Sequence, residues 1–151
     1  IRDSASDVVP PDGQMFDAVL VDAPCTATGT IRRHPDIPHL KRPSDVGKLA
    51  ALQAKILNNA VTMVKPGGLL VYCTCSLEPE EGQLQIAQFL ENNSEFICEA
   101  VSPKTDPLID ASWCTPDGYL RTLPSHLLGE TPELSGLDGF FVARLRRKTA
   151  S

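Results

Sequence analysis

The sequence lacks a long apolar run, a secretion signal and the cysteine or histidine spacing of a zinc site. Since a membrane-spanning helix needs roughly 18 or more successive apolar residues, no segment is predicted to cross a membrane. No signal-peptide pattern opens the chain, so we expect a cytoplasmic protein. One residue separates Cys73 from Cys75, whereas zinc knuckles have two or more, and no metal is predicted.

A further absence is the Gly-x-Gly loop that α/β nucleotide-binding proteins carry in their first strand–turn–helix unit. No strand-to-helix turn predicted in this chain has that loop, and the chain does not begin with methionine. We therefore expect the Gly-rich unit to precede Ile1. The 151 residues (1–151) are predicted to form one partial domain.

The formal net charge of −5 argues mildly against nucleic-acid binding, but the basic residues are clustered at 31–42 and 144–148. These clusters either follow a phosphate backbone or are ordinary solvated stretches. Five cysteines, an odd number, indicate free thiols in a reducing compartment rather than a disulfide framework.

Hydrophobic periodicity and turn residues predict an α/β fold that is half of a doubly wound sheet. The predicted elements are a buried strand at 16–21, a helix at 44–65 capped by Ser44, a strand at 69–74, a helix from 78, and strands at 96–101 and 139–145. Residues 102–138 are expected to be irregular. The long loop at 23–43 is expected to be functional, because long ordered loops in compact domains usually are.

Two cysteines come directly after predicted strands. Cys25 follows Asp22-Ala23-Pro24, and Cys75 lies in Thr-Cys-Ser at residues 74–76. Because the carboxyl ends of neighbouring parallel strands face one crevice, we expect both thiols to lie there and to do covalent chemistry. Asp22 is expected to be a buried carboxylate at the end of its strand, which requires a polar partner.

Cytosine is a substrate that needs such a thiol. A thiolate that adds to carbon 6 makes carbon 5 nucleophilic towards an electrophilic methyl group, and loss of the carbon-5 proton then allows the thiol to be eliminated. Asp22 is placed either to hold the pyrimidine edge or to contact the methyl donor. The second thiol is placed to help resolve the adduct.

Residues 22–29 (Asp-Ala-Pro-Cys-Thr-Ala-Thr-Gly), 31–36 (Ile-Arg-Arg-His-Pro-Asp) and 72–76 (Tyr-Cys-Thr-Cys-Ser) resemble the Sun/Fmu family. These are bacterial 16S ribosomal RNA cytosine-5 methyltransferases that use S-adenosylmethionine. The resemblance implies the carboxyl-terminal half of a Rossmann-like class I methyltransferase sheet, mostly parallel with an antiparallel closing strand. It also implies that Cys75 is the nucleophile and that Cys25 assists product release, whereas the Pro-Cys motif of DNA cytosine methyltransferases points instead to Cys25.

The same resemblance implies further site residues. Asp3 and Asp22 are expected to contact S-adenosylmethionine, whereas Cys73 is expected to pack inside its strand. Contacts with the 16S ribosomal RNA, or with the pocket that holds its cytosine, are expected from Arg32, Arg33 and His34. The helix after Cys75 departs from the family pattern, since Glu-Glu-Gly at residues 80–82 replaces an opening Glu-Asn. The chain alone is expected to bind the donor weakly and to be inactive.

Other interpretations stay open at this point. One is a methyltransferase of similar fold that acts on transfer RNA or DNA. A second is a non-catalytic RNA-binding relative that keeps the fold, although the two cysteines at the strand ends argue against it. A third is a thiol-redox protein, but Cys-x-Cys forms only a strained local disulfide.

Overall fold

The computed structural model describes residues 13–104, 106–131 and 135–149. These residues form one five-stranded sheet with helices packed against it. The strands are β1 (Phe16–Asp22), β2 (Val64–Thr74), β3 (Phe96–Cys98), β4 (Leu120–Thr122) and β5 (Phe140–Arg147). The helices are α1 (Ile37–Leu40), α2 (Pro43–Val61) and α3 (Gln83–Asn92), with short 3-10 turns at 28–30, 79–81 and 111–113.

The sheet combines one parallel pair with three antiparallel pairs. The order is β1-β2-β5-β3, with β4 also paired to β5. Among the described strands, β1 and β2 alone run parallel, and β5 runs against β2, β3 and β4. The α/β class and the antiparallel closing strand are confirmed. Parallel pairing is less extensive than predicted, because β5 lies inside the sheet and opposes all of its neighbours.

The core lies between the sheet and helices α2 and α3. Ile56 and Leu57 of α2 pack with Ile86 and Phe89 of α3 on the apolar face of the sheet. The predicted 3.6-residue spacing of apolar side chains produces this buried stripe. The largest fully buried side chains of the sheet are those of Tyr72, Phe141, Leu70 and Leu145.

The ends of α2 differ from the prediction. The helix begins at Pro43 with Arg42, not Ser44, as its N-cap, because the Asp45 side chain accepts a hydrogen bond from the Arg42 backbone N–H at 3.0 Å. It ends at Val61, and β2 already begins at Val64. Residues 66–68 (Pro-Gly-Gly), which fall between the predicted helix at 44–65 and the predicted strand at 69–74, therefore lie within β2, beside the irregular pairing with β1.

Three other elements also differ from expectation. β1 is mostly exposed rather than buried, since it pairs only with β2 among the described residues. β3 stops at Cys98 instead of Val101. β4 lies inside the stretch expected to be irregular, where three residues are too short to give a periodic signal. Within 13–104, 106–131 and 135–149, no helix has both the length and the apolar character needed to span a bilayer.

Candidate active site

The structure brings the two strand-end thiols together. The Sγ atoms of Cys25 and Cys75 are 3.5 Å apart. Parallel pairing of β1 with β2 sets Asp22 opposite Cys73, so the two following loops leave the sheet side by side. Backbone hydrogen bonds from Ala23 N to the Cys73 oxygen (3.0 Å) and from Gly29 N to the Cys75 oxygen (2.9 Å) link these loops.

The short contact makes the two thiols chemically unequal. A hydrogen bond from Cys25 stabilises the Cys75 thiolate and lowers the Cys75 pKa from its ordinary 9.0 to about 7, although burial and the carboxylates of Asp22 and Asp138 oppose this change. The pKa of Cys25 is raised, first by the same hydrogen bond and then by burial. Near neutral pH Cys75 is therefore partly ionised beside a protonated Cys25, and the thiolate is the form that a thiol nucleophile needs.

Below the thiols, the residue that follows each cysteine is bound to one buried carboxylate. Thr26 donates to Glu81 through its backbone N–H at 3.1 Å and also through its hydroxyl. Ser76 donates its hydroxyl to Glu81 Oε2 at 2.6 Å. Gln53 of α2 donates from Nε2 to Glu81 Oε1 at 3.0 Å. Glu81 has no solvent exposure, so its carboxylate oxygens depend on these donors for their hydrogen bonds.

Tyr72 completes this buried network. Its hydroxyl lies 2.9 Å from the Glu81 carbonyl oxygen and 3.1 Å from Gln53 Oε1, and burial raises its pKa. Sequence analysis missed both Glu81 and Gln53 as site residues. Gln53 did give a signal, because it interrupts the otherwise apolar stripe of α2. Glu81 gave none, since an acid at a helix start has an ordinary explanation in the helix dipole.

The predicted acid Asp22 lies at the end of β1 but is exposed rather than buried. The expectation of a buried carboxylate was wrong because, among the described residues, β1 pairs on one side only. Cys73 Sγ donates to Asp22 Oδ1 at 3.7 Å. Cys73 is buried as expected, which raises its pKa to about 12. Asp3 lies outside the described residues.

The three predicted RNA contacts lie on the loop after Cys25. Arg33 donates from Nε to Asp138 Oδ2 at 2.7 Å and keeps more than half of its side chain exposed. Arg32 donates to the Ser135 carbonyl oxygen at 3.0 Å. His34 is exposed. The interaction with Arg33 lowers the pKa of Asp138, so the two arginines are partly engaged within the protein.

A groove of about 470 Å³ borders the same loop. Its walls include Thr26 and Thr28 from the loop, Lys41 and Arg42 just before α2, and the acids Glu78 and Glu80. It therefore combines hydrogen-bonding hydroxyls with charges of both signs. Among the described residues, no three His, Cys, Asp or Glu side chains form a cluster able to hold a metal ion.

Comparison with known proteins identifies this arrangement. A family model described as 16S rRNA methyltransferase RsmB/F matches residues 3–146. The chain belongs to this family. The resemblance to the Sun/Fmu methyltransferases, deduced from the two cysteine motifs and the basic segment between them, is thereby confirmed.

Curated relatives and solved structures agree with the RsmB/F assignment. The ribosomal RNA small subunit methyltransferase B of Salmonella arizonae is 55% identical over 137 residues, which cover 91% of this chain and 28% of that protein. The Pasteurella multocida protein of the same name is 46% identical over 132 residues, 87% of this chain and 26% of that protein. The chain thus spans about a quarter of the length of these relatives.

The crystal structure of NSun6 from Pyrococcus horikoshii with SFG superposes with a TM-score of 0.75 at 25% identity, covering 99% of this chain and 34% of that one. The crystal structure of PH0851 superposes with a TM-score of 0.71 at 34% identity, covering 87% of this chain and 26% of that one. The Rossmann-like methyltransferase fold is therefore confirmed. The described β1–β5 sheet corresponds to a minor part of each longer chain.

Proposed function

We propose that the protein methylates carbon 5 of a cytosine in 16S ribosomal RNA, with Cys75 as the nucleophile. The observation that carries the proposal is the 3.5 Å contact between Cys25 and Cys75, which favours a thiolate on Cys75 near neutral pH. A thiolate attacks carbon 6 of the pyrimidine, forms a covalent bond there and makes carbon 5 nucleophilic. The relatives named as 16S or small-subunit ribosomal RNA methyltransferases support the choice of RNA.

Cys25 is the group best placed to act after the attack. Once Cys75 is bonded to carbon 6 it carries no charge, so the largest influence that raises the pKa of Cys25 is removed, although burial still acts. Carbon 5 then takes the methyl group from the donor. Cys25, once it has lost its own proton to solvent, accepts the carbon-5 proton; the electron pair of that C–H bond forms the carbon 5–carbon 6 double bond, and the carbon–sulfur bond breaks to restore the Cys75 thiolate. This sequence returns the enzyme to its starting charge.

The residues of this chain fit a cationic methyl donor. S-adenosylmethionine, when bound, supplies an electrophilic methyl group on a positively charged sulfur. The exposed carboxylate of Asp22 suits such a cation and lies on the same strand end as Cys25. The neighbour structure with SFG, an analogue of S-adenosylmethionine, supports this donor. We assign Asp22, together with Asp3, to donor contacts.

The basic loop and the groove beside it fit a ribonucleotide. Lys41 and Arg42 supply positive charge for phosphate, and Arg33 keeps exposed guanidinium N–H groups beside the thiols. We assign Arg32, Arg33 and His34 to RNA contacts. The target base leaves its stack to reach Cys75. Five free thiols fit a reducing compartment, so we place the reaction in the cytoplasm.

A mechanism-based trap tests the proposal. The full-length protein is incubated with S-adenosylmethionine and 16S RNA that contains 5-fluorocytosine, whose fluorine blocks the proton loss that permits elimination. We expect a denaturant-resistant adduct whose peptide maps to Cys75, and none with Cys75→Ala. An adduct on Cys25 would reverse the two roles. No adduct on 16S RNA, with transfer RNA or DNA trapped instead, would refute the substrate assignment.

A further inference from the structure

The residue after each cysteine of the site donates a hydrogen bond to the same carboxylate, which joins Thr26 and Ser76 to Glu81. We propose that Glu81 is a positioning residue that holds the Cys25 and Cys75 loops at their observed separation. The inference deepens the proposed function and rests on it for the activity readout. The reactivity of the thiols tests the positioning by itself.

Glu81 is held firmly enough to serve this purpose. Its side chain is fully buried, and four donors converge on its two oxygens: the Thr26 N–H, the Thr26 hydroxyl, the Ser76 hydroxyl and Gln53 Nε2. Its carbonyl oxygen accepts a hydrogen bond from the Tyr72 hydroxyl at 2.9 Å. An ionised carboxylate only accepts hydrogen bonds, so it satisfies a site that presents donors alone.

The hydroxyls of Thr26 and Ser76 lie 3.1 Å apart and link the two loops directly, but both of them also bind Glu81. The backbone links lie farther from the thiol of Cys25. Backbone bonds from Ala23 N and Gly29 N fix the two ends of the Cys25 loop on β2. Between these ends, Thr26 is the direct neighbour of Cys25, and both its backbone N–H and its hydroxyl are bound to Glu81. The position of the Cys25 thiol relative to Cys75 therefore depends on Glu81.

The charge and the position of Glu81 have opposite effects on Cys75. A nearby negative charge raises the pKa of a thiol, so replacing Glu81 by a neutral residue lowers the Cys75 pKa if charge alone acts. Lost positioning raises it, because the hydrogen bond from Cys25 is the largest influence that lowers it. The charged groups that do act on Cys75, which are Asp22, Asp138 and Arg33, stay unchanged in such a variant.

The test compares Glu81→Gln with Glu80→Gln in the full-length protein. Glu80 is the preceding residue of the same 3-10 turn, but its side chain is exposed, so its replacement controls for the lost charge. Iodoacetamide labelling of Cys75 is followed against pH by peptide mass spectrometry. We expect the midpoint for Cys75 to rise by about one pH unit in Glu81→Gln and to stay within about 0.3 units in Glu80→Gln.

A Cys75 midpoint that stays or falls in Glu81→Gln overturns the inference. If that variant does not fold, Ser76→Ala removes one link to Glu81 and is expected to raise the midpoint in the same direction; an unchanged midpoint there overturns the inference too. In the methyl-transfer assay Glu81→Gln is expected to lower kcat with little change in KM. If the Cys75 midpoint rises in Glu81→Gln but the wild-type protein forms no adduct with 5-fluorocytosine RNA, the positioning role of Glu81 stands and the proposed function is refuted.

Discussion

Replacing Cys25 by alanine is expected to raise the pKa of Cys75 and to slow its alkylation at neutral pH. The variant removes the S–H group that lies 3.5 Å from the Cys75 sulfur and stabilises its thiolate. Cys25→Ser is the matched control, since its hydroxyl keeps a donor at the same position. Both changes are small, and Cys25 is only partly buried, so neither is expected to unfold the protein.

Two opposing changes set the size of the effect: the thiolate fraction of Cys75 falls, but each thiolate becomes more reactive. If the Cys75 pKa returns from about 7 to 9.0, the thiolate fraction at pH 7 falls from about one half to about one hundredth, roughly fiftyfold. A more basic thiolate is intrinsically more reactive, by about six- to tenfold for two pH units at a Brønsted slope of about 0.4–0.5. The net loss at pH 7 is therefore about five- to eightfold at most, because solvent screens a partly exposed site.

These terms also predict that the two pH profiles cross. Above about pH 10 both proteins are fully ionised at Cys75, and the alanine variant is expected to react faster than the wild type, up to about six- to tenfold. Iodoacetamide labelling from about pH 5 to about pH 11, resolved by peptide mass spectrometry, measures both limits. A Cys75 midpoint that stays near pH 7 in Cys25→Ala would refute the assignment of Cys25 as the group that stabilises the thiolate.

Two further predictions concern stability, measured by urea unfolding. Gly29→Ala is expected to lower the free energy of unfolding by about 3 kcal/mol, because the added Cβ would lie 2.0 Å from the Gly139 carbonyl oxygen. Gly47→Ala is the matched control: its Cβ would meet open space, and alanine is expected to stabilise α2 by about 0.5–1 kcal/mol. Glu99→Gln is expected to cost less than about 1 kcal/mol at pH 7. Arg146 and Arg144 of β5 pair with Glu99 and lower its pKa, so the difference in stability between wild type and Glu99→Gln should vanish as the pH falls through that lowered pKa. A difference that persists in acid would contradict the ion pairing.

The meeting of Cys25 and Cys75 was predictable because it depends on local rules. Each cysteine follows an apolar strand, and the carboxyl ends of neighbouring parallel strands open on one crevice. β1 and β2 are the one parallel pair of the described sheet, and they are the strands that lead to Cys25 and Cys75, so the rule predicts the meeting of the two thiols. The extent of antiparallel pairing was not predictable, since the partners of β5 are distant along the chain.

The burial of Glu81 could not be predicted from the same rules. Glu80 and Glu81 are adjacent and chemically identical, and both suit the first turn of a helix. The orientation of the 3-10 turn buries one and exposes the other. That orientation depends on Gln53, which lies 28 residues before Glu81, and on Tyr72 at the end of the preceding strand. Sequence patterns identify helix starts, but they do not identify which of two neighbouring acids has partners.

The segment just before β5 also contributes to the site, although it lies far from Cys25 and Cys75 along the chain. Gly139 N donates to the Gly29 carbonyl oxygen at 2.8 Å, which holds the loop after Cys25 against this segment. Asp138, the preceding residue, opposes the thiolate of Cys75 by its negative charge. Arg33 is bound to the Asp138 carboxylate, and its positive charge offsets the negative charge of Asp138. The ion pair therefore limits the effect of Asp138 on the Cys75 thiolate, while more than half of the Arg33 side chain stays exposed. Phosphate that drew Arg33 away from Asp138 would therefore weaken the nucleophile, which favours an RNA contact through the exposed N–H groups that Arg33 keeps while paired.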